Sequence, residues 1–283
     1  MEYKVSEKVQ KKFDTLTKDA KIQKALQFME EDQDTVIDKQ IELTLIPAPT
    51  NHEQKKAARL LEMFKEEGLT DCHIDEYGNC VGIRKGTGGG KTVLVEGHMD
   101  TVFFKGEPEK RPFTIKDGKA YGPGVLDMKG GVCILLFTLE ALHAAGFDDF
   151  PCKVILVADE EPAHVFSNAP EVIEKESKGA KCAFNFETGF PDHALVVQRK
   201  GCWRFFIETF GRGCHVGNDP QNGRSAILEM AHKIIEIENL TDYSKQYNVN
   251  VGTIEGGTVA NAAPAHCKVE CDFRYVHPED LPI

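Results

Sequence analysis

Four short stretches of this chain bring acidic groups, and one brings an imidazole, to places where they could act together. VEGHMDTVF, at 95–103, runs from apolar Val93, Leu94 and Val95 into His98 and Asp100. Asp127 follows YGPGVL and precedes an apolar stretch, Glu160 and Glu161 follow the apolar run from 152, and Glu187 follows CAFNF. A charged group at the end of a buried strand needs a partner, because desolvating it alone is costly. A metal cluster would neutralise several such groups at once. The His98-Met99-Asp100 spacing has its own logic. In an extended segment residues i and i+2 point to one side, and a ligating imidazole generally donates its second N–H to a carboxylate. Asp100 is therefore expected beside His98, orienting it without touching the metal. Each signal alone has an ordinary explanation: a hydrogen-bonded core histidine, a solvated glutamate pair, or an aspartate capping a helix. Their recurrence at successive strand exits is what points to metal chemistry. Mixed imidazole and carboxylate donors suit zinc, and cobalt or manganese can take the same ligands.

The elements that must position these groups follow from periodicity. Ile22, Leu26, Phe28, Met29, Val36, Ile37, Ile41 and Leu45 are spaced for one or two amphipathic helices. IPAPTNHEQ interrupts them, with Thr50 or Asn51 as the expected N-cap of a helix over 52–67 closed by Gly68. Strands are expected at 73–75, 80–83, 92–96, 152–159 and 182–187, and helices at 128–146 and 171–177. KGTGGGKT reads as a turn; the phosphate-loop frame fails because Lys85 stands where that frame needs glycine. Alternating strands and helices to about residue 198 predict an α/β sheet flanked by helices. In such sheets ligand sites lie beyond the carboxyl ends of strands, which is where the four acidic stretches fall. From about 199 a β-α-β-β pattern predicts a small α+β unit. The expected domains are 1–198 and 199–283.

The 283 residues are 41% hydrophobic and 28% charged, enough for a packed core. A net charge of -11 argues against a general nucleic-acid or anionic-membrane binder. No apolar run approaches the ~20 residues of a membrane span, and the charged start lacks a signal-peptide core. The nine cysteines include no CxxC, so reduced thiols in a cytoplasmic protein are expected.

GHMDTVF, YGPGVLDMKGG, DEE and the lone acid of NFETG, in that order, resemble the M20 family of zinc aminoacylases and carboxypeptidases, most closely its glutamate-carboxypeptidase-like branch. GRGCHVGNDPQNGRSAI and GGTVANAAPAHCKVECDFRY are similar to that family's lid, or dimerisation, domain. The resemblance runs from about residue 40 onward. It implies a zinc-peptidase-like catalytic domain, a mixed sheet flanked by helices, with an inserted ferredoxin-like lid. It also implies two zinc ions. His98 and Glu187 would be ligands of one, Asp127 would bridge both, and Glu161 would bind the second. Glu160 resembles the general base and Asp100 the orienter of His98. His215 resembles a lid histidine that reaches the partner subunit's active site. Asn261 and Arg274 resemble residues that hold the substrate's carboxylate. A cis peptide at Asp127–Met128 is a further expectation from the family.

The chemistry so implied is hydrolysis of a peptide or amide bond next to a free C-terminal carboxylate, on a peptide or N-acyl amino acid, by a homodimer built through the lid. A dipeptidase, an N-acyl-amino-acid deacylase, a desuccinylase, and a non-catalytic dimerising relative are the alternatives. The sequence departs from the family at three places. The family's further zinc-ligating histidine lies in a C-terminal segment with no counterpart here, so these residues alone are expected to have weak or no activity. EEPAHVFSNAP stands where relatives commonly have small, glycine-rich residues. Residues 1 to about 22 add a charged helical extension, expected to be a solvated helix.

Overall fold

The structure is a computed structural model and describes residues 5–164, 167–189 and 194–280. Parts of EEPAHVFSNAP and of the C-terminal VHPEDLPI lie outside the described residues. The chain divides into two compact units, Met1–Gly189 and Phe190–Ile283.

In the first unit three helices precede the sheet: α1 (Glu7–Leu16), α2 (Ala20–Glu31) and α3 (Gln33–Leu45). The sequence pattern suggested one or two; Ser6 and Asp19 each cap a new start by accepting backbone N–H groups. Then come α4 (Gln54–Glu66), β1 (Thr70–Ile74), β2 (Cys80–Arg84), β3 (Val93–His98), the short α5 (Glu107–Lys110), the hairpin β4 (Thr114–Lys116) and β5 (Lys119–Tyr121), α6 (Gly130–Ala144), β6 (Cys152–Val157), α7 (Ala169–Ser177) and β7 (Cys182–Asn185). Helix α4 starts two residues later than expected, with Glu53 rather than Thr50 or Asn51 at its N-cap. The reason is competition: the Thr50 hydroxyl donates to Asp100 Oδ2 instead, and Glu53 Oε1 accepts the Asn51 N–H. Gly68, at φ 75°, ends the helix as the left-handed C-terminal glycine.

The main sheet has the order β1-β2-β6-β3-β7. β3 runs parallel to both β6 and β7, while β1 and β2 are antiparallel to their neighbours. The three parallel strands therefore present their carboxyl ends at one edge. The register carries the rest. His98 lies opposite Val157, and Glu96 opposite Asn185. Two residues separate Val157 from Glu160, and one separates Asn185 from Glu187, so both strands lead directly to these carboxylates beside the end of β3.

Helix α6 explains the long apolar run: Val132, Cys133, Leu135, Leu136, Phe137 and Leu139 are all buried. All of these but Phe137 join Leu60, Phe64, Val154 and Leu156 in the central core. Its approach is close. A Cβ at Gly131 would fall 1.9 Å from the Phe186 carbonyl oxygen, so only glycine fits there. That contact seats the turn 125–129, which carries Asp127, beside the exit of β7. The Asp127–Met128 peptide is cis. No helix of the described residues is long and apolar enough to cross a membrane.

The second unit contains β8 (Gly201–Phe210), α8 (Ala226–Glu238), β9 (Tyr247–Gly256) and β10 (His266–Tyr275). They form an antiparallel sheet of order β8-β10-β9. One face is covered by α8, whose Ala226, Met230 and Ile237 pack with Val249, Cys267, Val269, Cys271 and Phe273. The Ser225 hydroxyl caps α8 by accepting the Leu228 N–H. All nine cysteines are free thiols, five of them buried.

Candidate metal centre

His98 is the last residue of β3 and is buried. Its Nδ1 lies 3.1 Å from the Asp100 carbonyl oxygen and 3.2 Å from Asp100 Oδ1. Both neighbours are acceptors, so Nδ1 carries the hydrogen and donates. Nε2 is thereby aimed outward. It lies 2.9 Å from Asp127 Oδ1 and 2.9 Å from Glu187 Oε1, with Glu160 Oε2 at 4.0 Å.

Asp100 has a completely buried side chain and holds three elements together. Its Oδ1 accepts the Glu160 N–H at 3.0 Å, and its Oδ2 accepts the Glu161 N–H at 3.2 Å and the Thr50 hydroxyl at 2.9 Å. One carboxylate thus orients the imidazole and pins the backbone of the glutamate pair. Burial would raise its pKa, but the hydrogen bonds from His98, the Glu160 N–H and Thr50 outweigh that and hold it below the usual aspartate value. Thr50 entered the sequence reading only as a helix cap; nothing local signals its bond across 50 residues to Asp100.

Two overlapping groups offer donor atoms within 4.8 Å of one another: His98, Asp127 and Glu161, and His98, Glu160 and Glu187. Burial by itself would depress the His98 pKa, yet hydrogen bonds to Asp100 and Glu187, and the charges of both, push it up to about 11. Burial raises the Glu160 and Glu161 pKa values, helped by the neighbouring carboxylates. The donor set fits a divalent cation. Carboxylates arriving from β6, β7 and the 125–129 turn converge on one outward-facing imidazole nitrogen, and like charges brought this close need a cation between them. The Val102 N–H adds one brace, donating to Glu161 Oε1 at 3.2 Å.

The remaining expected site residues lie in the second unit. His215 and Asn261 are exposed and adjacent: His215 forms a β-bridge with Ala262, and the Val216 N–H donates to the Asn261 carbonyl oxygen at 3.0 Å. His215 Nδ1 accepts the Gly217 N–H at 3.2 Å. Arg274, on β10, donates from Nε and Nη2 to Asp272 at 2.7 and 2.9 Å.

A model of peptidase family M20/M25/M40 matches residues 94–276, a span that contains all of these residues except Thr50. The chain belongs to that family. Among M20 relatives, it is 34% identical over 204 residues to carboxypeptidase G2 of Pseudomonas sp. (strain RS-16), covering 72% of this chain and 49% of that one. It is 29% identical over 227 residues to acetylornithine deacetylase of Myxococcus xanthus, covering 74% and 56%. The chain spans about half the length of the curated relatives it matches. Its fold is similar to that of aminopeptidase PepT from Bacillus cereus, with a TM-score of 0.69, 22% identity, and 88% and 68% of the two chains covered. It is similar also to that of the M20 metallo-carboxypeptidase Sso-CP2 from Sulfolobus solfataricus, with a TM-score of 0.68, 18% identity, and 86% and 71% covered. M20 proteins are metal-dependent, and the converging donors of the first unit are the candidate metal site of this member.

Proposed function

We propose that this chain carries the metal centre of a zinc-dependent hydrolase that cleaves a peptide or amide bond next to a free C-terminal carboxylate. The observation that carries the reading is the convergence of His98, Asp127, Glu160, Glu161 and Glu187 within two overlapping donor groups. His98, Asp127 and Glu187 would hold one cation, and Asp127 and Glu161 the other; zinc is favoured, and cobalt or manganese fit the same donors. When bound, such cations supply Lewis acidity toward a carbonyl and toward water.

The protein groups do the rest. Asp100 keeps His98 in the tautomer whose Nε2 faces the centre. Glu160, held by its backbone bond to Asp100, takes the proton from the attacking water and returns it to the leaving amine, so no charge is lost or gained. Burial raises its pKa, in the direction that favours accepting a proton. His215 donates to the developing oxyanion. Asn261 and Arg274 grip the terminal carboxylate, Arg274 through a planar two-point contact. In this reading residues 1–198 form the catalytic domain, 199–283 are the lid through which a cytoplasmic homodimer forms, and the substrate is a peptide or N-acyl amino acid.

A second reading, deacylation of an N-acyl amino acid, is favoured by the acetylornithine deacetylases among the relatives. The two differ in the acyl side of the bond, not in the machinery. The test joins metal analysis with one substitution. Dialysed protein titrated with zinc should bind two equivalents. Glu160→Gln should keep that stoichiometry while turnover on dipeptide and N-acyl panels, measured on a chain extended through the family's C-terminal segment, falls at least about 100-fold. Absence of zinc binding, or undiminished turnover in the variant, refutes the reading.

A further inference from the structure

The centre's own His98, Glu160 and Glu187 line a cavity of about 110 Å³ together with Asn185, Glu96 and His164. Five of these belong to the strands and strand exits already described. His164 does not. It sits in EEPAHVFSNAP, where the sequence departs from the family pattern. Its Nδ1 is buried and has no hydrogen-bond partner among the described residues, and Glu96 Oε2 is in the same position. Buried polar atoms without partners are uncommon and call for a water or a functional explanation.

The local backbone shows how His164 reaches the cavity. After β6 the chain closes on itself: the Ala163 N–H donates to the Glu160 carbonyl at 2.7 Å, and the His164 N–H to the Asp159 carbonyl at 2.8 Å. Ala163 and His164 both take left-handed φ, 59° each, which non-glycine residues seldom adopt. This doubly left-handed turn brings residue 164 back to the cavity that Glu160 lines. Apart from His98, the other imidazoles of the unit are placed elsewhere. His73 Nδ1 bonds the Asp71 carbonyl, His52 lines an exposed groove, and His143 is in the last turn of α6.

We propose that His164 is a positioning residue for Glu160: across this cavity its Nδ1 holds an ordered water against the Glu160 carboxylate and so fixes the direction in which that carboxylate faces substrate. The lack of a direct hydrogen bond or ion pair between the two side chains argues for a water between them, and the cavity they share has room for a few waters at roughly 30 Å³ each. A carboxylate half exposed on a loop otherwise has several rotamers, and a base misaimed by an ångström loses much of its effect. The proposal rests on the reading of Glu160 as the general base.

Ring-nitrogen NMR of the histidine-labelled full chain tests it without turnover. The Nδ1 signal of His164, assigned by its disappearance in His164→Gln, should shift in Glu160→Gln; an unmoved signal overturns the proposal. With turnover, read on a chain extended through the family's C-terminal segment, His164→Ala should lower kcat about tenfold or more and leave KM unchanged, as expected for misalignment rather than lost binding. His164→Gln, which can still bond the water, should recover most of the rate. In cobalt-substituted protein the visible spectrum should match wild type in both variants. A changed spectrum makes His164 a ligand and overturns the proposal, as does an unchanged kcat. If Glu160→Gln itself leaves turnover intact, it is the base assignment that fails, while the NMR shift still reports whether the two side chains are coupled.

Discussion

Lys56 is the most unusual residue of the first unit. It projects from α4 into the core, is 2% exposed, and its Nζ has no hydrogen-bond partner among the described residues. Burial, with the charge of Lys129 adding to it, drives its pKa well below 10.5. The unfolded chain therefore binds a proton that the folded chain does not, at every pH between the folded value and 10.5. Stability must rise with pH across that window and level off above it. Lys56→Met keeps the length and removes the stranded amine. It is expected to stabilise the fold by about 1–3 kcal/mol near neutral pH, the usual cost of an unsatisfied buried polar group. Denaturant melts of both proteins at several pH values should show the gap narrowing toward pH 10.5 and levelling off above it; a gap independent of pH would mean that Lys56 is not held neutral. Asp100 makes the opposite case, a buried charge with every lone pair engaged. Asp100→Asn loses the acceptor that sets the His98 tautomer and is expected to weaken zinc binding about 10–100-fold by calorimetric titration, with little change in the number of sites. The Asp100 spacing is readable in the sequence because it is local. Thr50, Lys56 and His164 are not, since their significance depends on what lies across the fold.

At the scale of elements, the alternation of apolar runs and polar exits located most strands and helices to within a few residues. Hydrophobic periodicity reports which face is buried, and that face is a property of the segment itself. Boundaries moved where distant groups compete for local ones, as when Asp100 takes the Thr50 hydroxyl from the start of α4. The seat of α6 against the exit of β7 was not readable at all. Gly131 resembles any glycine near a helix start until the Phe186 carbonyl is found 1.9 Å from its absent Cβ. Gly131→Ala should therefore displace Asp127 and Glu187 relative to each other, with zinc affinity falling more than in Gly97→Ala. At Gly97 the nearest atom is the flexible end of the Met128 side chain, at 2.5 Å, which can move aside. Equal losses in the two variants, measured by zinc titration, would show that the close backbone approach is not what sets the centre.

For the whole molecule, the two compact units make a joint prediction with the metal site. All the converging donors belong to the first unit, so a cation should stabilise that unit alone. Zinc at about 100 times its dissociation constant adds about 2.7 kcal/mol, worth roughly 5–10 °C for a unit of this size. Calorimetry with and without a chelator should show one transition moving and the other staying; a single transition that moves as a whole would mean that the units unfold together. The sequence alone determined the kinds of donors, their order along the chain and their place at strand ends, because those depend on residue type and local periodicity. Only the tertiary structure decided that they meet. Parallel pairing of β3 with β6 and β7, in one particular register, sets His98 level with residues from loops some 60 and 90 positions away, and hydrogen-bond register between distant strands is a property of the packed sheet that no single segment contains.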